Sequence, residues 1–313
     1  MQNVPLPRSP IGEAYYARQL WAYFLGIIEH KATGNKDLPG TQHKKDVHFY
    51  TWGEQQMGRG ANQIASALQD FIESRLDEPD HGIKKIILFS DSCVGQNKNY
   101  CMLSTINLLS NKHGLPITHI FPVRGHSYMP PDRAFGRVEK RLRKIETVLL
   151  PEEYYEEFAT VGTVHVFNRD WWAYDFKGAA DTHLKKAHSF KITEQKKLEV
   201  NKAGPVKIFN HYTAAPCEHT VLKRGHRWNG INVQALEDTN CVKPAKKKDV
   251  KGLLQSMGYS TTPSASTALP MTRAQAIAHF YSDICKEDDD AMDIGSENES
   301  EDEATVEVDE DPW

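Results

Sequence analysis

The chain has little cysteine, no long apolar run and none of the short motifs that mark the common enzyme folds. Five cysteines in 313 residues, odd in number and irregular in spacing, exclude a disulfide framework and point to a reducing compartment. No stretch approaches the roughly 18–20 apolar residues that a membrane span needs. The opening MQNVPLPRSP lacks the apolar region of a signal peptide. These absences predict an intracellular protein, nuclear or cytoplasmic, with no membrane partner. GxSxG, GxxxxGK(S/T) and GxGxxG are all missing, which removes the hydrolase elbow, the phosphate loop and the dinucleotide fingerprint. There is no internal repeat.

What is present is an ordinary core-forming composition, 39% hydrophobic and 26% charged. The length allows two domains, or one domain with a large appendage. Charge is divided unevenly along the chain. Residues 287–313 carry 14 Asp or Glu and no Lys or Arg, which leaves 28 acids against 38 bases in residues 1–286. The body is therefore about +10 and the tail −14. A basic body suits a polyanion partner, nucleic acid first among them; a solvated surface with a solubilising tail is the plainer alternative. The composition of the tail predicts disorder. Such a tail can recruit a basic protein partner, or fold back over the body as a nucleic-acid mimic. KPAKKKDVK (243–251) suits a nuclear location.

The pattern along the chain predicts an α/β fold. Residues 1–12 are Pro-rich and extended. RQLWAYFLGIIE (18–29) and VHFYTW (47–52) read as two strands of a hairpin with a long polar connection. Ala61, Ile64, Ala65, Leu68, Phe71, Ile72 and Leu76 recur at helical spacing. KKIILFS (84–90) reads as a strand buried on both faces. NYCMLSTINLLSNKHG is a helix closed by Gly114, and PITHIFPV is a further strand. PPDRAFGRVEKRLRKIETVLL (130–150) is a third helix with Phe135, Val138, Leu142 and Ile145 buried and Asp132 as its N-cap. The order implies a mainly parallel sheet over residues 1–150 with helices on its faces. Residues 151–256 form a smaller, strand-rich region, with TVHVFN, HSFKIT and PVKIFN as β-like runs and a short helix at its basic end. Residues 257–313 read as linker and acidic tail.

Three carboxylates draw the argument toward chemistry. Asp91 stands at the end of the 84–90 strand, where ligands gather in sheets of this kind. Asp132 and Glu139, seven residues apart, lie on one side of their helix. Carboxylates gathered together need cations, and Mg²⁺ or Mn²⁺ prefers such oxygen ligands. A metal pair of that kind is the usual clamp for displacement at phosphorus. Each residue has a structural alternative: Asp91 an Asx turn, Asp132 a helix cap, Glu139 an ion pair with Arg143. His126, in the turn after the next strand, either touches a phosphate or orders a carboxylate, or is structural. Cys217, His219 and His226, with Cys241 as a fourth, offer weaker zinc ligands. Cys93 and Cys101 read as small buried groups, and Trp171 and Trp172 either pack or stack on bases.

SDSCVGQNKN followed by GHSYMPPDRAFGRVEK resembles a domain-of-unknown-function family of animal proteins derived from mobile elements. YYARQLWAYFLGI, YTWGEQQMGRGANQIAS and KKKDVKGLL extend the likeness over residues 1 to about 255. The resemblance implies a ribonuclease H-like fold of the transposase and integrase type, nucleic-acid binding, and metal-dependent phosphodiester cleavage or strand transfer. It implies Asp91 as the fourth-strand carboxylate, with Asp132 or Glu139 as the late acid. Two departures stand out. Relatives carry an Asp-Leu-Gln strand just before the stretch that here begins MQNVPLP, and Trp-Asp-Glu where this chain has Trp52-Gly53-Glu54. Glu13 and Glu29 are the nearest substitutes for the first carboxylate. The expected activity is thus impaired in this chain, and the competing expectation is a non-catalytic nucleic-acid or protein interaction module.

Overall fold

The computed structural model describes residues 1–30, 46–123, 129–236, 242–263 and 270–285. The fold is mixed α/β, with two mixed sheets. β1 (Gln2–Leu6), β2 (Leu20–Ile28) and β3 (Val47–Gly53) form an antiparallel meander, and β6 (Thr163–Val166) adds in parallel to β3. The hairpin of β2 and β3 matches the expectation, with Phe24 opposite Thr51 and Ile28 opposite Val47. The Pro-rich start is itself an edge strand, which suits a residue such as Pro5 that cannot donate to a ladder.

β3 is buried along its whole length because both of its faces carry core. Val47 and Phe49 join Val4, Leu6, Leu20, Ala22 and Phe24 on one face. There they meet α4 (Pro130–Leu142), α5 (Pro151–Ala159), α7 (Pro244–Ser256) and α8 (Arg273–Cys285). Tyr50 and Trp52 take the other face, against α2 (Ala61–Leu76) and Trp171. The same core continues through α3 (Tyr100–His113) and α6 (Phe176–His183) into the second sheet. That sheet has the order β4 (Ile86–Phe89), β5 (Ile117–Ile120), β7 (Lys197–Val200), β8 (Val206–Phe209), β9 (Cys217–His219). β4 and β5 are parallel, and the remaining neighbours are antiparallel.

Several local readings hold. α2 buries Ile64, Ala65 and Ile72 as its spacing predicts. α3 is capped by Asn99, whose Oδ1 accepts from Met102 N at 2.9 Å. Gly114 ends it in the left-handed region, φ 71°, where a side chain would be strained. α4 buries Ala134, Phe135, Val138 and Leu142, and ends at Leu142 rather than running to residue 150.

Others differ. The expected single sheet is divided in two by hydrogen bonding, and both sheets take strands from beyond residue 150. β4 is not buried on both faces: it pairs only with β5 among the described residues, and Ile87 and Phe89 are 52% and 60% exposed. An apolar run of four cannot by itself distinguish a central strand from an edge one. HSFKIT makes a short 3₁₀ turn over Ile192–Glu194 instead of a strand. The segment read as linker and tail contains α8, whose Ile277, Ala278, Tyr281 and Ile284 are buried against the first sheet's helices. The acidic stretch 287–313 lies outside the described residues. Among the described residues, no helix is long and apolar enough to cross a membrane.

Candidate functional site

β4 delivers the chain to residues 90–99, which fold back on themselves. Asp91 is exposed, and its Oδ1 accepts from Cys93 N at 3.1 Å and from Asn97 Nδ2 at 2.7 Å. The carbonyl of Cys93 accepts from the amides of Asn97 and Lys98 at 2.8 and 3.0 Å. Asn99 Nδ2 donates to Val94 O at 2.8 Å while its Oδ1 caps α3. Asp91 therefore makes the Asx-type turn that sets the loop, and the loop sets the helix cap. Beneath it, Ser90 Oγ lies 2.8 Å from His119 Nε2 and donates to the carbonyl of Asp91 at 3.1 Å. The Nε2–H tautomer of His119 completes that chain of donors. Burial alone pushes the pKa of His119 down to about 3, so the ring is neutral. Lys98 is buried too, its ammonium 5.1 Å from the centre of the Phe121 ring.

Asp132 and Glu139 are on α4, which packs over β2 of the first sheet. Both are exposed. Met129, not Asp132, is the N-cap residue; Asp132 is the third residue of the helix, and its Oδ2 reaches back to accept from Met129 N at 2.7 Å. Glu139 Oε1 accepts from Gln2 Nε2 at 3.5 Å, and its Oε2 lies 3.9 Å from Arg143. Among the described residues no hydrogen bond or ion pair joins Asp91 to Asp132 or Glu139. No group of three or more His, Cys, Asp or Glu side chains placed to hold a metal occurs among them either. Among the described residues, these three carboxylates serve a turn, a helix start and an ion pair. His126 lies outside the described residues. Of the two substitutes for a first carboxylate, Glu29 pairs with Arg75 at 3.4 Å, and Glu13 lies in the first turn of α1 (Glu13–Tyr16).

Among the described residues the weaker zinc set forms no group of three placed to hold a metal. Cys217 is exposed on β9, and His219 Nδ1 stands 2.8 Å from Ser189 Oγ. His226 Nδ1 instead meets His183 Nδ1 at 2.8 Å, a partner that no sequence spacing announced. Cys241 lies outside the described residues. Cys101 is buried, and desolvation with the nearby Asp175 and Asp181 charges pushes its thiol up to about 12, which suits packing and not nucleophilic chemistry. Cys93 is exposed, contrary to expectation. Trp171 is fully buried, and Trp172 is 53% exposed.

Sequence reasoning missed a polar cluster between β3, β6 and α2. His48 Nδ1 lies 3.1 Å from His165 Nε2, and Arg75 Nη2 lies 3.4 Å from His48 Nε2. The Tyr50 ring stacks on His165, and its hydroxyl donates to Asp70 Oδ2 at 2.7 Å. Burial lowers the pKa of His165 and raises those of Tyr50 and Asp70, and Arg75 of the cluster pairs with Glu29 at 3.4 Å.

Exposed cations line α4, among them Arg141, whose Nε lies 2.6 Å from Glu157 Oε2. α4 turns Arg133, Arg137, Lys140 and Arg141 to solvent, followed by Arg143 and Lys144. α7 adds exposed Lys248 and Lys251, with Lys243 at its N-cap. No protein-family model matches the chain, no curated protein matches it, and no solved structure matches it.

Proposed function

We propose that the chain is a nucleic-acid-binding module that acts by binding rather than by metal-dependent catalysis. The observation that carries this reading is α4: six exposed cations follow one another on and just after a helix whose opposite stripe is packed into the first core. A ridge of that kind matches the spacing of phosphates better than it matches a small anion. The body's excess of bases supports the same partner. So does the likeness of SDSCVGQNKN and GHSYMPPDRAFGRVEK to mobile-element proteins of ribonuclease H-like, transposase and integrase type. The lysine-rich 243–251 segment, with Lys243, Lys248 and Lys251 exposed, supports a nuclear location.

Binding of a labelled duplex by the full chain at about 50 and 200 mM salt is the test. Affinity falls steeply between the two. Arg133→Glu, Arg137→Glu and Lys140→Glu together weaken binding at every sequence tried. They also flatten the dependence of log affinity on log salt by about 0.9 for each phosphate that is no longer neutralised. Equal affinity at the two salt concentrations would sink the reading.

A further inference from the structure

β4 ends the second sheet, and one of its edges has no strand beside it among the described residues. Ile86 N donates to Pro116 O at 3.0 Å and Ser90 N to Ile120 O at 3.3 Å, so the even-numbered residues face β5. A strand turns alternate peptide groups to opposite sides. The N–H and C=O of Ile87 and Phe89 therefore point out from the edge of the sheet, and no described residue pairs with them. Their side chains share one face and are 52% and 60% exposed, whereas Ile86 and Leu88 rest on the core. An open backbone edge that also carries large apolar groups is a template for another strand.

The residues at the two ends of β4 say which strand fits. Lys85 precedes it and Asp91 follows it, and both are exposed. Side chains alternate along a strand, so both lie on the same face as Ile87 and Phe89. Lys85 has no hydrogen bond or ion pair among the described residues, and the Asp91 carboxylate uses only Oδ1 in its turn. Two copies of residues 85–91 laid antiparallel, with a two-fold axis through Leu88, set Ile87 against Phe89 and Lys85 against Asp91. In each pair the backbone groups face the edge, so the two residues can exchange both N–H···O bonds. A slip by two residues sets Lys85 against Phe89, or Ile87 against Asp91. In-register parallel pairing sets lysine beside lysine. The symmetric antiparallel register alone covers the apolar residues with each other and joins opposite charges. Lysine at an edge ordinarily repels a second copy; here each one meets a carboxylate.

We infer that the chain pairs with a second copy of itself through β4 in this register, joining two five-stranded sheets into one. The contact is isologous, so it closes at two copies, and every cross-strand pair in it occurs twice. Strands of four residues bury little area, which makes the pair reversible and concentration-dependent rather than permanent. An unrelated extended peptide would cover the same edge without needing Lys85 and Asp91 to face each other. The nucleic-acid reading is neither required by this contact nor tested by it.

Sedimentation velocity of the full chain over about a hundredfold range of concentration is the test. The weight-average mass rises from that of one chain toward that of two. Ile87→Pro removes an outward-facing N–H, leaves the β4–β5 ladder intact and abolishes the rise. Phe89→Lys, at an exposed position, weakens self-association by about tenfold or more. A urea midpoint close to the parent's shows that each variant is folded. Lys85→Glu sets like charges together across the two-fold axis. It weakens the pair, and added salt then strengthens its association while weakening the parent's. A parent that stays monomeric at the top of the range overturns the inference. Association of Ile87→Pro and Phe89→Lys equal to the parent's overturns it as well, and so does a Lys85→Glu protein that answers salt as the parent does.

Discussion

His119 should make the protein acid-sensitive in a window set by its burial. It lies in β5 opposite Leu198, is 2% exposed, and holds Ser90 beneath the Asp91 turn. Its folded pKa is about 3; unfolded, it returns to roughly 6.5. The folded value is the lower one, so the contribution is fully present above about pH 6.5 and is lost as pH falls from there toward about 3. Within that window the unfolded chain binds a proton that the native ring refuses. The limiting slope is about 1.4 kcal/mol per pH unit, and the loss between pH 7 and pH 5 is about 2 kcal/mol. That is a sizeable share of the ~5–15 kcal/mol that typically holds a domain together. Urea unfolding of the parent and of His119→Gln at pH 5, 6 and 7 measures it. The parent should lose about 2 kcal/mol more than the variant over that range. His165, His183, His188 and the depressed carboxylates Glu73, Glu153 and Asp170 also titrate, as does the raised Asp70, but they are common to both proteins and drop out of the difference. Identical pH dependence in the two proteins would refute the argument.

Two further outcomes test the site and the fold. Asp91→Ala should cost about 1–2 kcal/mol by freeing Cys93 N and Asn97, while Asp91→Asn keeps an Oδ1 acceptor and stays within about 0.5 kcal/mol of the parent. Thermal melts with and without Mn²⁺ belong to the same experiment: a Mn²⁺-induced rise in Tm that Asp91→Asn abolishes would overturn the non-catalytic reading. Gly162→Ala should destabilise by about 2–3 kcal/mol, since its Cβ would sit 2.6 Å from the carbonyl oxygen of Val47 where α5 hands the chain to β6. A Gly162→Ala protein with the parent's urea midpoint would show that this close backbone approach relaxes freely.

The helices were the most legible part of this chain. The stripes of α2 and α4 recur every three or four residues, and a local window contains everything needed to see them. Strand pairing is a different matter. β3 and β6 are more than a hundred residues apart, and β1 is a short Pro-containing edge, so nothing near either segment names its neighbour. α8 was hidden by its setting between a Ser/Thr-rich stretch and an acidic one, although Ile277, Tyr281 and Ile284 are buried. At the candidate site, the residue types were readable and their use was not. Asp91 at a strand end suits a metal ligand and a turn former equally, and only the structure shows the turn, through its bonds to Cys93 and Asn97. Sequence alone determined the helix periodicities, the Gly114 cap, and the division into basic body and acidic tail, because each of these is a property of adjacent residues or of a count. Tertiary structure alone decided that β4 is an edge, that Asp132 and Glu139 sit on a helix over the first sheet while Asp91 follows β4 of the second, and that Tyr15 and Tyr16 stay exposed. Each of those depends on which distant surfaces compete to bury one another, and burial is a property of the whole packed chain.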